Sequence, residues 1–138
     1  MPSNIITARH NNGMSFSTEL NGHIVTIDTI GPDDSPGSGP RPKALMLVSL
    51  AGCTGIDVVE ILNKMRVKFS DLSINVEGEL TEAIPRTYHT VTVSYSIKVK
   101  KEDEPKVQKA VLLSQDKYCG VSAMFRAFAT IKTKIVFL

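Results

Sequence analysis

The chain predicts an α+β fold, and three observations carry that reading. Period-two alternation comes in consecutive pairs, at 14–30 and again at 68–100. An apolar stretch at 43–65 is too long for a strand and reads as a helix. Two shorter helical segments then precede a last strand. Strand pairs joined by hairpins, with helices set between the pairs, indicate antiparallel strands around helices rather than an alternating βαβ order.

Taken in order, Met14, Phe16 and Thr18 alternate with Ser15, Ser17 and Glu19. Asn21-Gly22 accepts the positive φ of a tight hairpin turn. The return strand, His23 to Ile30, sets Ile24, Thr26 and Asp28 against Val25, Ile27 and Thr29. The next twelve residues, GPDDSPGSGPRP at 31–42, hold four prolines and three glycines and therefore form a loop. Loops of that length often carry function. Pro42 suits the first turn of the following helix. That helix is apolar almost all round at Leu45, Met46, Leu47, Val48, Leu50 and Ala51, then amphipathic with Glu60, Asn63 and Lys64 polar. Gly52 and Gly55 each cost up to about 1 kcal/mol there relative to Ala. They imply either a close crossing or room beside Cys53.

Strands at 68–80 and 88–100 follow, the second with Val91, Val93, Tyr95, Ile97 and Val99 on one face. A helix runs from Pro105 to about Leu113, a further helical piece follows Cys119, and 130–138 is a strand. The helix from 43 is apolar on more faces than one small sheet covers. A second copy of the chain related by two-fold symmetry is the expected cover.

A length of 138 residues fits one domain, 1–138. Sixteen basic and fourteen acidic residues interleave, aromatics are 6%, and there is no Trp. Nucleic-acid binders concentrate a basic face with aromatic platforms, so no nucleic-acid partner is expected. The run KVKKEDEPK at 98–106 carries its own acids and reads as a solvated turn. The start of the chain lacks an export-signal pattern, and no uninterrupted apolar run reaches about 18 residues. A cytoplasmic location without a membrane partner is the expectation. His10, His23 and His89 show no metal-ligand spacing, and two cysteines cannot build a four-ligand zinc site unaided. The Gly-rich segment SPGSGPRP matches no phosphate or dinucleotide fingerprint, so no metal and no cofactor is expected.

The residues left to carry chemistry are Cys53 and Cys119. A reactive cysteine needs a stabilised thiolate and access to substrate. Cys53 lies eleven positions into a helix that starts at Pro42, beyond reach of the helix dipole. Arg41, twelve positions before it, is about 18 Å away along a straight helix and would reach only a partner chain's sulfur. Cys119 falls near the start of the last helix, where a dipole helps. Asp57 and Glu60 share the Cys53 face, and a carboxylate there raises a thiol pKa. From the residues alone, two buried inert thiols and a reacting pair both stay open, since free Cys is among the most buried residue types.

PKALMLVSLAGCTGIDVVEILNKMR at 42–66 and DKYCGVSAMF at 116–125 resemble the two signature segments of the OsmC/Ohr family, in particular its small OsmC-like, YhfA-type members. IPRTYHTVTVSYSI at 84–97 resembles the strand between them. The resemblance implies an intertwined α+β homodimer, with antiparallel strands wrapped around long central helices. It implies a thiol peroxidase acting on organic hydroperoxides. Cys53 would be oxidised to a sulfenic acid and Cys119 would resolve it to a disulfide. A dithiol reductant of the dihydrolipoyl type would restore both. The family's peroxidases carry a Glu just after the helix-starting Pro, where this chain has Lys43-Ala44. The activating cation has three candidates, Arg9, Arg41 and Lys43. That departure sustains a second reading on the same fold: a non-catalytic dimeric binding protein for a small apolar or thiol-bearing ligand.

Overall fold

The structure is a computed structural model that describes residues 1–138, the side chain of Pro32 excepted. The chain divides into two compact units, 1–46 and 47–138.

The first unit holds a three-stranded antiparallel sheet of β1 (Arg9–His10), β2 (Phe16–Leu20) and β3 (His23–Ile27) in the order β1-β2-β3. Asn21 (φ 52) and Gly22 (φ 79) make the expected turn and pair Leu20 with His23. Strand β1 has no period-two signal of its own; it exists because two residues pair with β2. Strand β3 ends at Ile27, short of Ile30, because Asp28 redirects the chain. Its N–H donates to the Pro40 carbonyl at 3.0 Å. Its carboxylate accepts from the Ser38 N–H (2.9 Å), the Ser38 hydroxyl (2.8 Å) and the Thr29 N–H (2.7 Å). These bonds, the Ser38 amide foremost, hold the Asp28 pKa below its ordinary value. Gly39 stands against the Thr26 carbonyl, where any Cβ would clash. The Pro/Gly-rich loop is thus folded back along β3.

The second unit begins inside α1 (Pro42–Lys64) and continues with β4 (Phe69–Leu80), β5 (Tyr88–Val99), α2 (Glu104–Leu113), α3 (Gly120–Arg126) and β6 (Thr130–Phe137). Helix α1 closes on a Schellman turn. Val67 N–H reaches the Leu62 carbonyl, Arg66 N–H reaches that of Asn63, and Arg66 takes the positive φ of 58. The sheet order is β4-β5-β6. Strands β4 and β5 pair antiparallel, as their hairpin spacing requires. Strand β6 runs parallel to β5, from Thr90↔Thr130 to Ile97↔Phe137, so the strands of this unit are not all antiparallel. The helices between β5 and β6 supply the long crossover that a parallel pair needs.

The core forms where the alternation of β5 meets the helices. Val91, Val93, Tyr95 and Ile97 are fully buried against Leu50, Val58 and Leu62 of α1, Val107, Ala110 and Val111 of α2, and Phe125 of α3. Each such aliphatic side chain contributes about 1.5–3 kcal/mol through burial. Gly78 of β4 lies under the Tyr88 ring, whose Cδ1 is 2.6 Å from where a Cβ would stand. The two helix glycines differ. A Cβ on Gly55 would meet Ile74 Cδ1 at 2.8 Å, whereas Gly52 faces open space. One serves a close crossing with the sheet and the other belongs to an uncovered surface. Val48 and Ile56 lie on that same side, 62% and 70% exposed. By length and composition alone, α1 also passes as long and apolar enough to cross a membrane.

Candidate active site

Three segments meet at the cysteine pair. Cys53 and Asp57 come from one side of α1, four residues apart and both half-buried. Cys119 comes from the junction of α2 and α3. After α2 the chain makes one π-helical turn, Ser114–Tyr118, closed by Cys119 N–H on the Ser114 carbonyl at 2.8 Å. Cys119 then leaves the helix in an extended conformation (φ −76°, ψ 102°) and caps α3, its sulfur accepting from Ser122 N–H at 3.3 Å. The π turn with this cap brings the buried Cys119 sulfur up to Cys53. The two sulfurs and a carboxylate oxygen of Asp57 all lie within 4.8 Å of one another. Both cysteines are free thiols.

The surroundings push the Cys53 pKa above its ordinary 9.0. Burial is the largest cause, followed by the neighbouring Cys119 thiol; the Asp57 charge adds to both, and the Val121 N–H opposes them as a hydrogen-bond donor. The amides of Val121 and Ser122 thus serve one sulfur each at the start of α3. The dipole of α1 fades within its first turn and does nothing for Cys53, as its position in the sequence predicts. The Val121 N–H from the start of α3 opposes the upward shift without overturning it, and residue spacing carried no sign of that contact.

Behind Asp57 runs a buried chain of hydroxyls. Ser114 Oγ donates to Asp57 Oδ2 at 2.9 Å. A hydroxyl has one proton, so Thr54 must donate to Ser114 (2.8 Å), Tyr95 to Thr54 (2.6 Å), and Gln115 Nε2 to Tyr95 (2.7 Å). Every donor therefore points toward the Asp57 carboxylate. Thr54, Tyr95 and Ser114 have no exposed surface, and burial raises the Tyr95 pKa and keeps its phenol protonated. Sequence reasoning singled out Asp57 but missed Thr54, Tyr95, Ser114 and Gln115 as a group. The available signal was one Thr on the most apolar helix and a phenol, Tyr95, in the middle of the aliphatic alternation of β5.

Of the other singled-out residues, Glu60 pairs with Lys64 at 3.2 Å on the surface. His89 is exposed beside Thr90, and His10, in the first unit, bonds the Gly13 carbonyl. Cys53, Asp57 and Cys119 are spaced as three ligand atoms would be. A tetrahedral ion needs a fourth, and no histidine joins them among the described residues. The candidate cations Arg9, Arg41 and Lys43 are exposed and belong to the first unit. Beside Asp57 a hollow of about 490 Å³ opens to the surface, walled by Ile61, Met65, Leu113 and Tyr118, with Glu60 and Lys64 at its rim.

Comparison with known proteins places this arrangement. The family described as OsmC-like protein matches residues 34–134. This chain belongs to the OsmC family. Protein YhfA of Escherichia coli K12 is 31% identical over 113 residues, 81% of each chain. The crystal structure of a hypothetical protein from Aquifex aeolicus VF5 superposes with a TM-score of 0.87 at 26% identity, over 100% of this chain and 98% of that one. The organic hydroperoxide resistance protein OhrB of Bacillus subtilis shares the fold, with a TM-score of 0.63 at 18% identity over 95% and 96% of the two chains. Within this family fold, a close cysteine pair is present here.

Proposed function

We propose that this OsmC-family protein is a thiol peroxidase that reduces organic hydroperoxides, with Cys53 as the attacking and Cys119 as the resolving residue. One observation carries the reading: two thiols 66 positions apart in sequence meet within 4.8 Å. A disulfide needs a separation of about 2.05 Å, so the sulfurs must close the remaining gap when they bond. The Cys53 thiolate attacks the peroxide, forming an S–O bond as the O–O bond breaks, and the alkoxide leaves as the alcohol. The Cys119 thiol then gives up its proton and attacks the Cys53 sulfur, forming the S–S bond as the S–O bond breaks and the hydroxide takes a proton to leave as water. A dithiol reductant of the dihydrolipoyl type completes the cycle. The apolar walls of the hollow beside Asp57 suit an alkyl tail.

The working form in this proposal is a cytoplasmic homodimer of a single domain, 1–138. The uncovered face of α1 supports it. Val48, Gly52 and Ile56 border an apolar hollow of about 720 Å³ together with Val59, Leu72 and Ile74. A second copy covers such a face. The dimer is also where Arg9, Arg41 or Lys43 of one copy meets the other's Cys53.

The upward push on Cys53 and the Lys43-Ala44 departure favour the rival, a binding protein on the same fold. A thiol count separates them. Reduced protein given one equivalent of cumene hydroperoxide is expected to lose both thiols rapidly, with a Cys53–Cys119 disulfide located by mass spectrometry. Both thiols persisting after long exposure would overturn the peroxidase in favour of the binding protein. Cys53→Ser is expected to abolish the reaction.

A further inference from the structure

We infer that Asp57 is the proton carrier of the resolving step, taking the Cys119 thiol proton and handing it to the hydroxide that leaves Cys53. The inference rests on the peroxidase reading and deepens it. Its first support is position: the carboxylate lies within 4.8 Å of both sulfurs, within reach directly or through one water. Its second is the hydroxyl chain, in which Gln115, Tyr95, Thr54 and Ser114 each donate one step onward until Ser114 reaches Asp57 Oδ2. A carboxylate is the end that such a chain requires, because it accepts without donating. The chain holds the Asp57 side chain in place beside the two sulfurs.

Its third support is a conflict. A carboxylate beside Cys53 opposes formation of the attacking thiolate, so it hinders the first step. A group that hinders the first step and is held by Ser114, the last link of a buried donor chain, is suited to the second. There Cys119 must lose a proton and the departing hydroxide must gain one. The balance is closed: Cys119-SH and Cys53-SOH become the disulfide and one water, and Asp57 begins and ends as a carboxylate. The peroxide remains the only oxidant. The short distance lets the same carboxylate act at both ends of the transfer.

The test separates the two steps. Wild type and Asp57→Asn, each reduced, are mixed with cumene hydroperoxide in rapid quench. Sulfenic acid is trapped with dimedone and disulfide is counted by mass spectrometry. Asn still accepts from Ser114, so the hydroxyl chain keeps its end. The expected result is a first step as fast as wild type or faster, and a resolving step slower by roughly 10²-fold, at the low end of what proton transfer contributes. Asp57→Glu is expected to restore part of the resolving rate. Should the Asn variant fail to fold, Ser114→Ala is read instead, with an expected slowing of a few-fold in resolution alone. Unchanged resolution in whichever variant is read, or an equal loss in both steps, overturns the inference while leaving the peroxidase standing. A wild-type protein that forms neither sulfenic acid nor disulfide removes the peroxidase reading itself.

Discussion

The two sides of α1 have similar composition and opposite fates. Along one, Leu50, Thr54, Val58 and Leu62 recur every four residues and are sealed within the core. Along the other, Val48, Gly52 and Ile56 recur at the same spacing and stay open. Cys53 and Asp57 lie on the border, half-buried. Hydrophobicity alone therefore does not say which face a fold uses first. The sealed side is the one with an unbroken set of partners on β5, α2 and α3. The open side has a smooth glycine surface and supports the proposed dimer. A border position gives a thiol what the proposed reaction needs: enough burial to sit beside its partner and enough exposure for a substrate to arrive.

The contrast can be broken most sharply on the sealed side. Leu62→Ala is expected to cost about 2–5 kcal/mol in urea unfolding, because a fully buried leucine leaves a cavity. On the open side, Ile56→Asp is expected to leave the fold of each chain intact while weakening dimerisation by more than tenfold, read by sedimentation at graded concentration. An equal loss of fold stability would show that this face is already used within one chain. At the border, the peroxide reaction is expected to rise nearly tenfold per pH unit from neutrality and to level off only above 9.0. The Cys53 pKa is raised, so its thiolate fraction is still growing across that range. Iodoacetamide labelling of Cys53 in a Cys119→Ser background checks this, and a plateau near pH 7 would mean that a cation lowers the pKa in the assembled dimer. The smallest effect belongs inside the sealed side. Tyr95→Phe removes the donor to Thr54 without changing the ring and is expected to cost about 1 kcal/mol in the same unfolding experiment.

Much of the fold was legible from local pattern. The Asn21-Gly22 hairpin, the helix from Pro42, and the pair of long strands follow from turn chemistry and periodicity. Arg66 in the left-handed conformation shows the limit of that reading, since nothing local requires a non-glycine residue there. The parallel placement of β6 was not legible either, because an isolated strand carries no mark of direction. Of the site, Asp57 was flagged by its four-residue spacing from Cys53, and Cys119 by its place at a helix start. The hydroxyl chain was hidden because its members are 20 to 61 residues apart in pairs, and hydroxyls far apart in sequence carry no pattern.

The sequence by itself determined the strand pairs, the long apolar helix, its two-sided excess of hydrophobic residues and the two thiols. These follow from interactions within a few residues of the chain. Only the tertiary structure decided that Cys53 and Cys119 meet, that amides from the start of α3 serve both sulfurs, and that a relay of four buried donors ends on Asp57. Those contacts depend on how α1, the π turn and β5 pack together. Packing is chosen by the total burial of the core, and no segment holds that quantity alone.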